Sequence, residues 1–156
     1  MPRKAPIPTS KLPSGAIEVI NRNALVSLAL TKGYIAFLPV YDAGVDLILY
    51  NEASNDVVKV QLKSRWTIDT KYVGRNIAIA FPDRGCWYLV PHDDLVSMAE
   101  AYGFTARDSW IRPGGSYSYA PLSRRMIQDL QRFRFEGLEQ LVKQAAASGP
   151  DKSDDP

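Results

Sequence analysis

The sequence predicts an α/β or α+β domain with a mixed central β-sheet flanked by helices. Three observations predict it. The run Ala24–Leu30 is apolar on nearly all sides and lies between helix start and stop signals. From Tyr34 to Val90, short alternating or apolar runs are separated by turn-forming residues. Two further helical stretches follow, so the order is helix, several strands, helix, helix.

Taken in order, residues 1–14 form a flexible basic arm with four prolines, Pro2, Pro6, Pro8 and Pro13. Ser14 is placed to cap a helix running to about Lys32, with Ile17, Ile20, Ala24 and Leu28 on one face and Gly33 at its stop. So apolar a helix should be well buried. Tyr34 to Val40 reads as a first strand, Asp42-Ala43-Gly44 as a turn, and Val45 to Tyr50 as a second strand. After a polar loop, Val57 to Arg65 alternates cleanly: Val58, Val60 and Leu62 face one way, and Lys59, Gln61, Lys63 and Arg65 the other. An extended piece follows over Trp66 to Val73. Ile77–Phe81 and Cys86–Val90 form a pair around the turn Pro82-Asp83-Arg84-Gly85. Asp93 is placed to cap a helix over Asp94–Tyr102, stopped at Gly103. Phe104–Leu122 reads as irregular, and Ser123 as the cap of a last helix reaching about Ala146. Residues 148–156 read as a disordered acidic tail. One domain over 15–147 is the expectation for 156 residues of which 46% are apolar.

Composition removes several classes of function. No apolar run reaches the roughly 18 residues of a membrane span, and no apolar stretch follows the basic N-terminus as a secretory signal requires. One cysteine, Cys86, and one histidine, His92, leave no Cys/His zinc site and no internal disulfide, so a reducing cytoplasm is expected. A Cys–His nucleophile pair is disfavoured because Cys86 sits in an apolar strand. His92, just before a helix start, reads as a polar cap.

Charge is uneven along the chain. Asp42, Asp46, Glu52 and Asp56 follow one another with no base between them. Lys59, Lys63, Arg65, Lys71 and Arg75 then follow with a single acid, Asp69. An acidic spot beside a basic strip suits a metal site next to a bound polyanion, and equally a solvated hairpin of mixed charge.

Asp46 separates these possibilities further. An acid at the head of Asp46-Leu47-Ile48-Leu49-Tyr50 is costly to bury without a partner or an ion. Pairing of the second and third strands brings it near Gln61-Leu62-Lys63. A carboxylate, an amide oxygen and a lysine at one place on a sheet can hold a hard divalent cation beside a proton-transfer group, which is what phosphodiester hydrolysis needs.

Gly44-Val45-Asp46-Leu47-Ile48 followed by Val60-Gln61-Leu62-Lys63-Ser64 resembles the core motif of the PD-(D/E)XK nuclease superfamily. The nearer likeness is to its homing endonucleases associated with group I introns, in which Gln often replaces the acid before X-Lys. The preceding helix, Phe37-Leu38-Pro39-Val40 and Trp87-Tyr88-Leu89-Val90-Pro91 fit the same pattern, over roughly residues 15 to 140. The resemblance implies a restriction-endonuclease-like core and an Mg²⁺-dependent DNA endonuclease, with Mn²⁺ as a substitute. It implies that Asp46, Gln61 and the Leu62 carbonyl hold the metal, that Lys63 orients the attacking water, and that Glu18 on the first helix joins the catalytic group. Glu18 with Arg22 also makes an i,i+4 pair that reads as a surface ion pair. Arg65, Lys71 and Arg75 are the candidate DNA contacts, and double-stranded DNA and a second copy of the chain, in a homodimer or higher homo-oligomer, are the implied partners. Arg112 with the Gly-Ser-Tyr segment 114–119, and the arginines of the last helix, are further candidates. The pattern departs from the family at two points: Val45 stands where Pro precedes the Asp, and Gln61 removes one negative charge. The second departure keeps open an alternative reading, a catalytically weakened nucleic-acid-binding or adaptor module. A third reading is an interaction protein that binds no DNA and uses the Gly-Ser-Tyr segment.

Overall fold

The computed structural model describes residues 5–136. Its centre is a five-stranded mixed sheet in the order Tyr34–Phe37 (β1), Leu47–Asn51 (β2), Asp56–Leu62 (β3), Ile77–Asp83 (β5), Cys86–Pro91 (β6), with a separate two-stranded sheet of Trp66–Asp69 (β4) and Ser116–Tyr119 (β7).

Helix α1 (Ser14–Thr31) enters from Pro13, whose extended backbone presets the first turn, and its carbonyl accepts from Ala16 and Ile17 N–H. Ser14 is therefore the first helical residue and not the cap expected of it. Gly33 adopts φ +82° and ends the helix as expected. Burial of α1 is one-sided: Leu25 and Ala29 are enclosed, whereas Val19, Ile20 and Leu30 stay largely exposed. The core face is set by Leu25 and Ala29, not by Ile20.

Strand β1 (Tyr34–Phe37) pairs antiparallel with β2 (Leu47–Asn51), and β2 with β3 (Asp56–Leu62). β1 is shorter than expected because Pro39, close behind, has no N–H for the ladder. β3 then runs parallel to β5 (Ile77–Asp83), with Gln61 opposite Ile79. Between them the chain leaves the main sheet as β4 (Trp66–Asp69), continues through a 3-10 turn at Thr70–Tyr72, and returns. β5 and β6 (Cys86–Pro91) form a hairpin closed by Arg84 and Gly85 at φ +47° and +81°, so the expected four-residue turn is narrowed to two.

Helix α2 (His92–Ala101) starts at His92. Asp93 does not cap it; its carboxylate accepts the Gly74 N–H at 3.2 Å. The short α3 (Asp108–Ile111) and β7 (Ser116–Tyr119) occupy the stretch expected to be irregular. β7 went unread because its alternation is Ser with Tyr and contains no aliphatic residue. Its tyrosines pack on Phe104, at 4.6 and 5.4 Å between ring centroids.

Helix α4 (Arg124–Asp129) is capped by Ser123 as expected, Oγ accepting from Met126 N–H at 3.2 Å. It ends at Asp129, far short of Ala146. Phe135 N–H instead donates to Trp87 O at 2.8 Å, which puts the chain beside β6 and seats Phe135 in the core. Residues 137–146 of the expected helix and the acidic tail lie outside the described residues.

The sheet is covered on both faces. On one, α1 packs Leu25 and Ala29 against Leu47, Leu49, Val60 and Leu62. On the other, Ile77, Ile79, Phe81, Tyr88 and Val90 meet Trp66, Ile68, Leu95 and Met126. The alternation of β3 is as read: Val60 and Leu62 face α1, so Gln61 belongs to the opposite face. This is the mixed, helix-flanked sheet the sequence predicts. Among the described residues no helix is long and apolar enough to cross a membrane.

Candidate active site

Asp46 stands one residue before β2. Its N–H still donates to Val60 O at 2.8 Å, so the mouth of the strand is held in register with β3. From there its carboxylate reaches the end of β3. Asp46 Oδ2 accepts the Leu62 N–H at 2.6 Å and the Gln61 Nε2 amide hydrogen at 2.6 Å. Gln61 Nε2 also lies 3.4 Å from Leu62 O. The three groups singled out at the end of β3 therefore meet at one point.

Two features of this cluster are electrostatically unusual. Gln61 Oε1 is buried and has no hydrogen-bond donor, a loss of roughly 1–3 kcal/mol where nothing compensates. The Asp46 carboxyl is held above the ordinary carboxylate range, first by burial. The Leu62 N–H opposes that rise, the charges of Asp42 and Glu18 add to it, and Lys63 lowers it.

Lys63 follows Leu62 directly, its N–H donating to Ala80 O at 2.9 Å, which extends the β3–β5 pairing by one residue. Its ammonium lies 5.5 Å from the centre of the Tyr72 ring. Tyr72 is 2% exposed and meets the buried His92 edge-on, at 5.6 Å. His92 is not a cap: Nε2 accepts the Asp69 N–H at 3.1 Å, and burial lowers its proton affinity. It braces the turn that carries Tyr72.

Glu18 is exposed on α1 and borders two hollows. One reaches Leu62, Lys63 and Ser64; the other reaches Asp42, Val45 and Asp46. It takes no part in the ion pairs among the described residues, so the expected pair with Arg22 does not form.

The three basic candidates separate. Arg65 is exposed. Lys71 lies 3.5 Å from Asp69 and 4.9 Å from the Tyr72 ring centre. Arg75 is built into the site's frame: Nη2 donates to Ala43 O at 2.9 Å, and Lys59 Nζ donates to Arg75 O at 2.7 Å. Arg75 thus ties the Asp42–Gly44 turn, closed by Gly44 N–H to Asp42 Oδ1 at 2.8 Å, to the chain after β4. A side chain at Gly44, where φ is +84°, would meet Arg75 Nη1 at 3.2 Å and Tyr72 Cε1 at 3.4 Å.

The Gly-Ser-Tyr segment is not an open loop. Gly115 O accepts from Thr70 N–H and Oγ1, and a Cβ on Gly115 would fall 2.0 Å from Trp110 O. On the last helix Arg124 is exposed, whereas Arg125 stacks on Tyr102 and approaches Asp129. Arg134 bonds Glu136 and Cys86 Sγ. Sequence reasoning missed Tyr72 and the framing role of Arg75. The available signal was the tight Gly44 turn, which needs a packed neighbour. Among the described residues no three His, Cys, Asp or Glu side chains group as a metal-holding cluster. The donor set at the end of β3 is one carboxylate, one amide and one carbonyl.

No family model matches the chain, and no curated protein matches it. Among solved structures it is similar to a bacterial homing endonuclease, I-Ssp6803I, at 18% identity and a TM-score of 0.50. The match covers 87% of this chain and 95% of that one. The likeness is one of fold: a nuclease-like arrangement of a mixed sheet between helices.

Proposed function

We propose that this chain is a divalent-cation-dependent DNA endonuclease of the PD-(D/E)XK kind, homing-endonuclease-like. The observation that carries the reading is the meeting of Asp46, Gln61 and the Leu62 carbonyl, with Lys63 next in the chain. The donors fit a hard cation. They are all oxygens once the Gln61 amide is counted by its carbonyl, and that carbonyl oxygen is the one buried acceptor here with no partner. Asp46, Gln61 and Leu62 O would hold Mg²⁺ or Mn²⁺. When bound, the cation supplies Lewis-acid polarisation and neutralises charge on a phosphodiester.

The chain's own residues do the rest. Ionised Asp46 provides the negative charge. The Lys63 ammonium, steadied over Tyr72, orients a water for attack and offsets charge growing on the phosphoryl oxygens. Glu18, which lines the same hollow as Lys63, would accept a proton from that water. Arg65 and Lys71 remain the phosphate contacts of choice; Arg75 has part of its guanidinium engaged with Ala43 O. Two copies of the chain in a homodimer would bring two such sites to the two strands of duplex DNA. One cysteine fits a reducing, cytoplasmic setting.

Nicking of supercoiled plasmid in Mg²⁺ or Mn²⁺ tests this reading, with Asp46→Ala and Lys63→Ala as controls. Cleavage by the wild type that falls roughly 100-fold or more in each variant is expected. No cleavage, or cleavage indifferent to both substitutions, would sink it. One observation favours a second reading, a nucleic-acid-binding module with weakened catalysis: a neutral amide stands where a second carboxylate would bind the cation more strongly. Salt-dependent binding to duplex DNA without cleavage is its signature.

A further inference from the structure

The two ends of the Gln61 amide are not interchangeable here, because the surroundings decide between them. Asp46 Oδ2 and Leu62 O are both acceptors. The group between them has to be the NH₂: Nε2 stands 2.6 Å from the carboxylate oxygen and 3.4 Å from the carbonyl. Turned over, the amide would bring Oε1 against two other oxygens, a repulsion that only a cation or an added proton relieves. The orientation adopted leaves Oε1 buried with no donor. Nothing in the protein satisfies it, and a half-turn would exchange it for the NH₂.

We infer that Gln61 is a two-state ligand. With no cation bound, its NH₂ stands in for the ion between Asp46 and the Leu62 carbonyl. When a divalent cation binds, the amide turns over and Oε1 becomes the third oxygen. The inference rests on the cation-dependent reading above and goes beyond it by giving the glutamine a purpose. A glutamate at this position would set two buried carboxylates against each other whenever the ion was away. Glutamine leaves the ion-free arrangement a single negative charge, that of Asp46, bonded to its NH₂, and holds the ion less strongly in return.

The test is a ¹H–¹⁵N spectrum of the full chain titrated with MgCl₂, the Gln61 side-chain pair being identified by its loss in the Gln61→Glu variant. The Gln61 NH₂ is expected to exchange at least about tenfold more slowly than exposed glutamines, as a buried bonded amide does. The downfield proton shift that its bond to the Asp46 carboxylate gives should disappear at the same Mg²⁺ midpoint that raises the thermal midpoint. In the Gln61→Glu variant, Mg²⁺ should bind at least about tenfold more tightly by calorimetry. A Gln61 NH₂ that keeps its bonded shift in saturating Mg²⁺, or a Gln61→Glu variant that binds Mg²⁺ no more tightly than the wild type, overturns the inference. Neither readout needs cleavage. A protein that shows both and cuts no DNA keeps this inference and loses the nuclease reading; one that cuts DNA while Gln61 ignores Mg²⁺ does the reverse.

Discussion

Asp46 is costly where it stands and held by only a few bonds. Burial raises its proton affinity, so its charge opposes folding until an ion or proton arrives. The sign follows from linkage. The folded state holds the proton more tightly than the unfolded chain, so the contribution of Asp46 to stability is greatest below the ordinary carboxylate range. It is lost as pH rises through the raised value. Asp46→Asn removes that penalty while keeping an acceptor for the Leu62 N–H and Gln61 NH₂. Its thermal midpoint without divalent cations should therefore exceed the wild type's at pH 7–8 by a few degrees, and match it more closely near pH 4. Scanning calorimetry at the two pH values checks this. Cation binding needs the ionised form, so Mg²⁺ affinity should rise with pH across the same window. Asp46 was legible as a candidate because an acid in an apolar run demands a reason, and its carboxylate does find partners, Leu62 N–H and the Gln61 amide. The orphaned Gln61 oxygen was not legible, since which end of an amide faces a carboxylate is settled by neighbours that only folding assembles.

The elements around the site serve as its frame. The Asp42–Gly44 turn is pinned by Arg75, the Lys63 ammonium lies over the Tyr72 ring, and a Cβ added at Gly44 would reach Tyr72 Cε1 at 3.4 Å. Arg75→Ala frees Ala43 O and should lower kcat by roughly 10-fold or more with DNA affinity changed far less. An equal loss in affinity would return Arg75 to the phosphate contacts. Gly44→Ala forces a side chain into a left-handed backbone beside Arg75 and Tyr72, and should cost about 1–2 kcal/mol in urea unfolding. β3 was legible because period two is unambiguous when one face is valine and leucine and the other lysine and glutamine. β7 was not, since Ser-Tyr alternation carries its burial on aromatic faces that pack against Phe104, and its ladder partner, β4, is far away in sequence. The last helix was overextended for the same kind of reason. Helical spacing continued past Asp129, but Phe135 gains more by entering the core beside Trp87.

At the scale of the molecule, the sheet has two covered faces, and the site sits at the mouth of its central strands where β2 and β3 meet. α1 carries Glu18 beside that mouth and Leu25 in the core beneath it, so the candidate site and the packing share one helix. Leu25→Ala should destabilise by about 2–5 kcal/mol and weaken activity through α1 displacement. The order of elements and the mixed sheet were readable from turn residues and periodicity. The side-trip of β4 into its own sheet was not, because nothing local distinguishes a strand that leaves from one that stays.

Cleavage of supercoiled plasmid in Mg²⁺ by the wild type and by Asp46→Asn, each with its thermal midpoint measured beside it, tests the central claim most directly. Cutting by the wild type alone, abolished by EDTA, is the predicted result, with the inactive variant the more stable of the two. Equal cutting by both proteins, or none by either, would contradict it.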